Sequence, residues 1–482
     1  MRIKKIMATF LAAIAIILLF VILSPKSFAA SAQTDTLKLN DDKRVKLQAG
    51  ETLTFYHTPD ASMHYVVETT GKIATRLKVS NIPAGEIING GRYTDDNARI
   101  WFKAEQGRQI KIELKFDSPA LSGSTTIQIR KQKFSMFGYV DDNGMNTKKD
   151  LNTPYNKFSG IYDCKKYEDM SAQCAYANDY RYIPNLNSEI FFFSGHGYSD
   201  GSGITFYQDE KKCDDIEIDD PEFKMDKTRV AVFSACNSAY EDDAHPLCIA
   251  RLAVVTGAYA SVGFPEAIVS TSARTFTNKF FTKLSEGATV RDAAKSGASA
   301  VIWVWDNVKN YTIFGRFEIT VVSDSTSAST FSVKPNVDLE YLRDEIASGY
   351  VAEPLSETET RYYQTVNGYL TDSYIDLTEE NGKIVDFDDR RKVFDSVLEI
   401  EGDYLNKGCE ESVCADGAVY NLKVEQEEHI VYCNLDGVMT PVKVSFASYV
   451  NEHGCAVYEA SCINLNNGEA IDYGDICGAD DE

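Results

Sequence analysis

The 482-residue chain has 11 cysteines but no Cys-x-x-Cys pair, and no short Cys/His pair at the spacing of a structural zinc site. That absence argues against a zinc-stapled module. Positive charge is also scarce: 49 Lys and Arg stand against 72 Asp and Glu, for a formal net charge of −23. Such a balance argues against nucleic acid or an anionic membrane as the main partner. It reads mostly as a solvated acidic surface, with calcium or a cationic partner as the ion-binding alternative. No cofactor is expected otherwise. After residue 23 no apolar run is long enough to cross a bilayer, so the membrane enters only through the N-terminus.

That N-terminus reads as an export signal over residues 1–32. Arg2, Lys4 and Lys5 precede an apolar run from Met7 to Leu23, and SPKSFAASA then offers small residues for cleavage after Ala29 or Ala32. An uncleaved anchor is the alternative. Either way the body of the chain is expected to work outside the cytoplasm, secreted or at a cell surface, and the form of the signal is bacterial.

At 44% hydrophobic content the remainder is long enough for several cored domains. Residues 33–133 contain about seven short alternating runs, among them Tyr65/Val67, Ile100/Phe102 and Ile110/Ile112/Leu114/Phe116, separated by turn signals. They predict an all-β sandwich, an accessory domain in which His57, His64 and Trp101 fall in core or on surface rather than in a ligand groove. An α/β domain is expected over 134–322, a Ser-rich linker over 323–336, and an acidic, Cys-rich α+β domain over 337–482.

Within the α/β domain two stretches stand out, EIFFFSGHG at 189–197 and RVAVFSACNS at 229–238. Each is an apolar run of strand length without alternation, as in a parallel strand buried on both faces. Each ends in small residues and one reactive side chain, His196 and Cys236. Ligands of open α/β sheets bind beyond the carboxyl ends of the strands. A thiol near an imidazole there has the logic of a nucleophile and its base. Glycines flanking His196 would let backbone amides approach an oxyanion. A long acidic insertion, about 205–227, separates the two stretches and carries Lys211, Lys212 and Cys213.

The FSGHG and FSACNS segments resemble the His and Cys motifs of the caspase-like (clan CD) cysteine peptidases, the group of clostripain, the gingipains, caspases and CHAT domains. GAYASVGFP at 257–265 resembles the strand that follows the nucleophile in CHAT-like domains, and 271–299 resembles their pair of helices. The resemblance covers roughly 137–322. It implies a caspase-like, mostly parallel sheet with flanking helices, His196 and Cys236 as catalytic dyad, and the amides of Gly197 and Cys236 as oxyanion hole. Members that cleave after basic residues can carry an acid just before the nucleophile. Here Phe233, Ser234 and Ala235 stand there, so specificity is not inherited; Asp200 and Glu266, on loops after the two strands, are the candidate acids for a basic side chain.

Six cysteines (Cys409, Cys414, Cys433, Cys455, Cys462 and Cys477) fall in the last domain and five in the α/β domain. In an exported protein the odd number is informative. Pairing the six among themselves, with Cys164–Cys174 and Cys213–Cys248, would leave only Cys236 as a thiol, although connectivity itself is not readable from sequence. The expected function is that of a secreted cysteine endopeptidase acting on protein or peptide through a thioester. The alternatives are a catalytically silent caspase-like binding or adhesion module, and a protein whose only substrate is itself.

Overall fold

The computed structural model describes residues 34–81, 88–90, 97–140, 145–168, 187–205, 216–217, 223–242, 246–303, 305–322, 350–355, 358–380, 383–390, 396–400, 427–450 and 456–477. The leader, the 323–336 linker and the stretches 337–348 and 169–178 lie outside them. So do Cys174, Cys213, Cys409, Cys414 and Cys455. No disulfide joins the described cysteines. The disulfide-containing part of the expected fold is therefore not seen, and the partners suggested for Cys164 and Cys248 are outside the described residues. The chain divides into two compact units, one through Lys131 and one from Gln132 onward.

The first unit is built of two sheets. Thr52–His57, Ile110–Phe116 and Thr75–Ser80 run through the middle of a five-stranded one; Lys43–Leu47, Gly123–Lys131, Met63–Thr70 and Arg99–Ala104 make a four-stranded one. Ile110, Ile112, Leu114 and Phe116 are buried while Lys111, Glu113 and Lys115 are not, the period-2 pattern of a strand with one core face. His64 is buried, and His57 is held through Nδ1 against the Leu37 carbonyl at 2.9 Å. Both are core residues.

The α/β part of the second unit holds a six-stranded sheet. Its strands are β1 (Lys133–Phe137), β2 (Asp163–Tyr167), β3 (Ile190–Ser194), β4 (Val230–Ser234), β5 (Ala260–Gly263) and β6 (Thr312–Gly315). The order is β2-β1-β3-β4-β5-β6, with β1 to β5 parallel and β6 antiparallel. Helices α1 (Asn152–Phe158), α2 (Ile249–Val255), α3 (Ser270–Ser285) and α4 (Val290–Ala300) accompany it.

Two apolar clusters explain why β3 and β4 carry no alternation. Phe192 and Val232 point to a face covered by Phe158 of α1 and Phe276, Phe280 and Phe281 of α3. Phe191, Phe193, Ala231 and Phe233 point to the opposite face, against Ile249, Ala250 and Ala253 of α2. Phe281 meets Phe192 edge-on at 4.9 Å between ring centroids, the geometry aromatic quadrupoles favour. With both faces dry, every residue of each strand is apolar or small.

Two local features follow from close backbone approach. The small-residue face of α4 packs on α3 rather than on the sheet: a Cβ on Gly297 would come within 2.9 Å of the Phe276 carbonyl oxygen. The final strand is only four residues long. It stops at Gly315, whose φ of +83° and whose close approach to the Tyr259 carbonyl both require glycine.

The rest of the second unit is mainly sheet among the described residues, where α+β was expected. Its long strands include β7 (Glu359–Val366), β8 (Tyr369–Glu380), β9 (Glu427–Leu435), β10 (Val438–Val450) and β11 (Ala456–Asn464), followed by one helical turn, α5 (Tyr473–Ile476). Two hairpins turn on Asn367–Gly368 and Asp436–Gly437, all four at positive φ, as two-residue turns matching strand twist require.

Candidate active site

Register places the two reactive residues. Strands β3 and β4 are parallel neighbours with Ile190 opposite Val230 and Ser194 opposite Ser234. His196 and Cys236 each lie two residues beyond that last pair, so they leave adjacent strands side by side at the carboxyl edge. The Gly195 N–H donates to the Ser234 carbonyl at 3.1 Å and carries the ladder one step further. Both side chains line a cavity of about 250 Å³, and each residue is 7% exposed.

The His196 loop is fixed by backbone. Its N–H donates to the Tyr139 hydroxyl at 2.9 Å, and its carbonyl accepts from the Thr205 N–H at 3.2 Å. Tyr139 in turn donates to the Thr205 carbonyl at 3.2 Å. Its ring fills the space a side chain at Gly195 would need: a Cβ there would sit 2.5 Å from Cε1. At Gly197 a Cβ would meet the Cys236 carbonyl oxygen at 2.1 Å, so the His196 and Cys236 loops touch backbone to backbone.

The Cys236 turn is held as firmly. Asn237 takes a left-handed φ of 54°, its N–H donates to the Glu266 carbonyl at 3.1 Å, and its Nδ2 donates to the Ser199 carbonyl at 3.0 Å. Ser238 donates to the Ala235 carbonyl at 2.8 Å and accepts from the Phe264 N–H at 3.0 Å. These are turn-building roles. The Cys236 sulfur accepts from the Ile268 N–H at 3.3 Å. Burial pushes its thiol up to about 11 despite that bond. Desolvation thus outweighs the backbone donors of Ile268 and of Cys236 itself.

Sequence reasoning missed the polar floor of the cavity. Asp150, 1% exposed, accepts from the Ser194 hydroxyl at 2.6 Å and pairs with Arg274 of α3. Thr147 donates to the Ser194 carbonyl at 2.8 Å, tying the end of β3 to the same corner. Burial raises the Asp150 carboxyl above its ordinary value, with the Arg274 charge opposing that rise. Arg274 within an otherwise buried run of α3 is the only local hint, and its partner lies 124 residues away.

Asp200 and Glu266 take other posts. Asp200 accepts from the Ser202 N–H at 2.9 Å inside a turn, and Glu266 accepts from Asn310 Nδ2 at 3.3 Å. Neither is among the residues lining the cavity. Lys211, Lys212 and Cys213 of the acidic insertion are outside the described residues. Among the described residues no group of three or more His, Cys, Asp or Glu is disposed to hold a metal ion.

A mostly parallel α/β sheet with a thiol and an imidazole at the carboxyl ends of neighbouring central strands resembles the caspase-like (clan CD) cysteine peptidases. The family comparison reaches the same class, since residues 184–312 match the CHAT domain. No curated protein sequence matches the chain. Among solved structures, gingipain R, an Arg-specific cysteine proteinase, aligns over 53% of this chain and 60% of its own, at 13% identity and a TM-score of 0.32. The complex of Porphyromonas gingivalis RgpB pro- and mature domains aligns over 52% and 60%, at 14% identity and 0.31. The pre-peptidase C-terminal domain of a Bacillus anthracis collagenase aligns over 20% of this chain and 94% of its own, at 10% identity and 0.18.

Proposed function

We propose that the chain is an exported cysteine endopeptidase working through Cys236 and His196. The observation that carries this is the register: two reactive residues, each two positions past the Ser194/Ser234 pair, share one cavity. In the proposed reaction His196 takes the Cys236 proton as the sulfur bonds to the scissile carbonyl carbon. The tetrahedral oxyanion is held by the N–H groups of Gly197 and Cys236. Collapse breaks the C–N bond, His196 returns the proton to the leaving amine, and water then hydrolyses the thioester and restores the thiol. Export rests on the apolar run Met7–Leu23 behind three basic residues. Asp200 and Glu266 lie outside the cavity, so selection of a basic side chain is not assigned to them.

The deciding experiment compares the mature chain with Cys236→Ala on a mixed peptide library, reading new termini by mass spectrometry. Cleavage by the unmutated chain alone is the expected result. Cleavage by neither, with or without calcium and after limited proteolysis, would replace this reading with a second one. That second reading, a non-cleaving binding module, is favoured by the burial of Cys236, which is only 7% exposed.

A further inference from the structure

The cavity holding Cys236 and His196 has a wall from a different part of the chain. Ala456, Val457, Tyr458 and Glu459, the first four residues of β11, line it. The Ala456 N–H donates to the carbonyl of Gly197, next to His196, at 3.2 Å. Ala456 is 6% exposed and packs in the same apolar cluster as Cys236. An extended backbone that hydrogen-bonds to the loop beside a nucleophile makes the kind of contact by which extended peptides dock on a sheet or strand edge.

This wall is firmly anchored. Arg361 of β7, fully buried, forks onto Asp376 at 2.7 and 2.8 Å and donates to the carbonyls of Val301 and Ile302, just past α4, at 2.9 and 3.1 Å. Tyr473 of α5 donates to Asp306 at 3.0 Å, and the Ser272 hydroxyl of α3 bonds the same carboxylate. Ile302 and Trp303 pack in one apolar cluster with Val431, Val444 and Phe446 of the C-terminal sheet. A bidentate, fully satisfied Arg at such a junction fixes geometry as well as adding energy.

We propose that the C-terminal sheet is a built-in cover for the active site. The start of β11 occupies the approach to Cys236 and engages the Gly197 carbonyl, so the intact chain rests closed and is switched on when that strand is displaced or cut away. The inference rests on the peptidase reading for its purpose, but the closure itself is measurable through the thiol alone.

The test uses the full chain with Ala456→Pro. Proline removes the one N–H that reaches Gly197 and is tolerated at the first residue of a strand. Two quantities are read: the rate at which iodoacetamide labels Cys236, assigned by peptide mass spectrometry, and turnover of the peptide library. Labelling at least tenfold faster than in the unmutated chain is expected, with turnover rising alongside. Faster labelling without any cleavage keeps the cover and removes the peptidase reading. Labelling within twofold of the unmutated chain, in a variant with an unchanged melting midpoint, overturns the cover. So does unchanged labelling with lower turnover, which would mean that β11 builds the pocket instead of closing it. Should the proline variant fail to fold, Tyr458→Ala, which trims a half-buried ring from the same wall, is judged by the same two readings.

Discussion

Replacing Arg274 by methionine would test whether the cavity floor is an ion pair held against its own desolvation. Asp150 is 1% exposed through its side chain and Arg274 25%. Removing one partner of a fully buried pair costs ~3–5 kcal/mol, because the remaining charge has no compensation. The partial exposure of Arg274 places this case at the lower end, about 3 kcal/mol at pH 8. The pH dependence follows from the direction of the shift. Burial raises the folded-state pKa of Asp150, so ionising it costs stability as pH rises from the ordinary carboxylate range through the folded value. Without Arg274 that value climbs further. Urea unfolding of Arg274→Met should therefore show a clearly smaller loss at pH 5, where Asp150 can take up a proton, than at pH 8. Adding Asp150→Asn should recover most of the loss at pH 8. An equal loss at both pH values, or a double variant weaker than either single one, would refute the reasoning.

Two further outcomes are expected. Gly197→Ala drives a Cβ to 2.1 Å from the Cys236 carbonyl oxygen, a backbone atom that cannot turn aside. Thermal unfolding should register a loss of about 3 kcal/mol or more, the upper range for overpacking, and any peptidase turnover should vanish. Alkylation of Cys236 should rise close to tenfold per pH unit between pH 7 and 10, since burial holds its thiol near 11 and leaves only ~0.01% as thiolate at pH 7. A rate flat across that range, measured by mass spectrometry, would contradict the buried thiol.

The central strands were legible because burial on both faces leaves an unmistakable residue pattern: IFFFS and VAVFS cannot be read as half-exposed. The phenylalanines of α3 were equally plain, since Phe276, Phe280, Phe281 and Leu284 recur at helical spacing and all four are buried. Edge strand β2, DCKKY, was not legible. One flank of an edge strand meets water, and only Tyr167 of its five residues is fully covered. Asp150 was hidden for another reason: its meaning comes from Arg274, which only the folded chain brings to it. The hairpins at Asn367–Gly368 and Asp436–Gly437 carried a signal strong enough to be found, two turn dipeptides between alternating runs, and would have identified the C-terminal sheet.

The pairing of Ser194 with Ser234 has a consequence for how such a site tolerates change. The juxtaposition of His196 and Cys236 depends on two residues after each strand and not on the length of chain between the strands. Insertions and deletions in the acidic stretch after Thr205, whose backbone holds the His196 loop, leave that register untouched, while a single residue added between Ser194 and His196, or between Ser234 and Cys236, would shift one group out of it. Descendants of this architecture are thus free to vary in motif spacing and bound to conserve motif length.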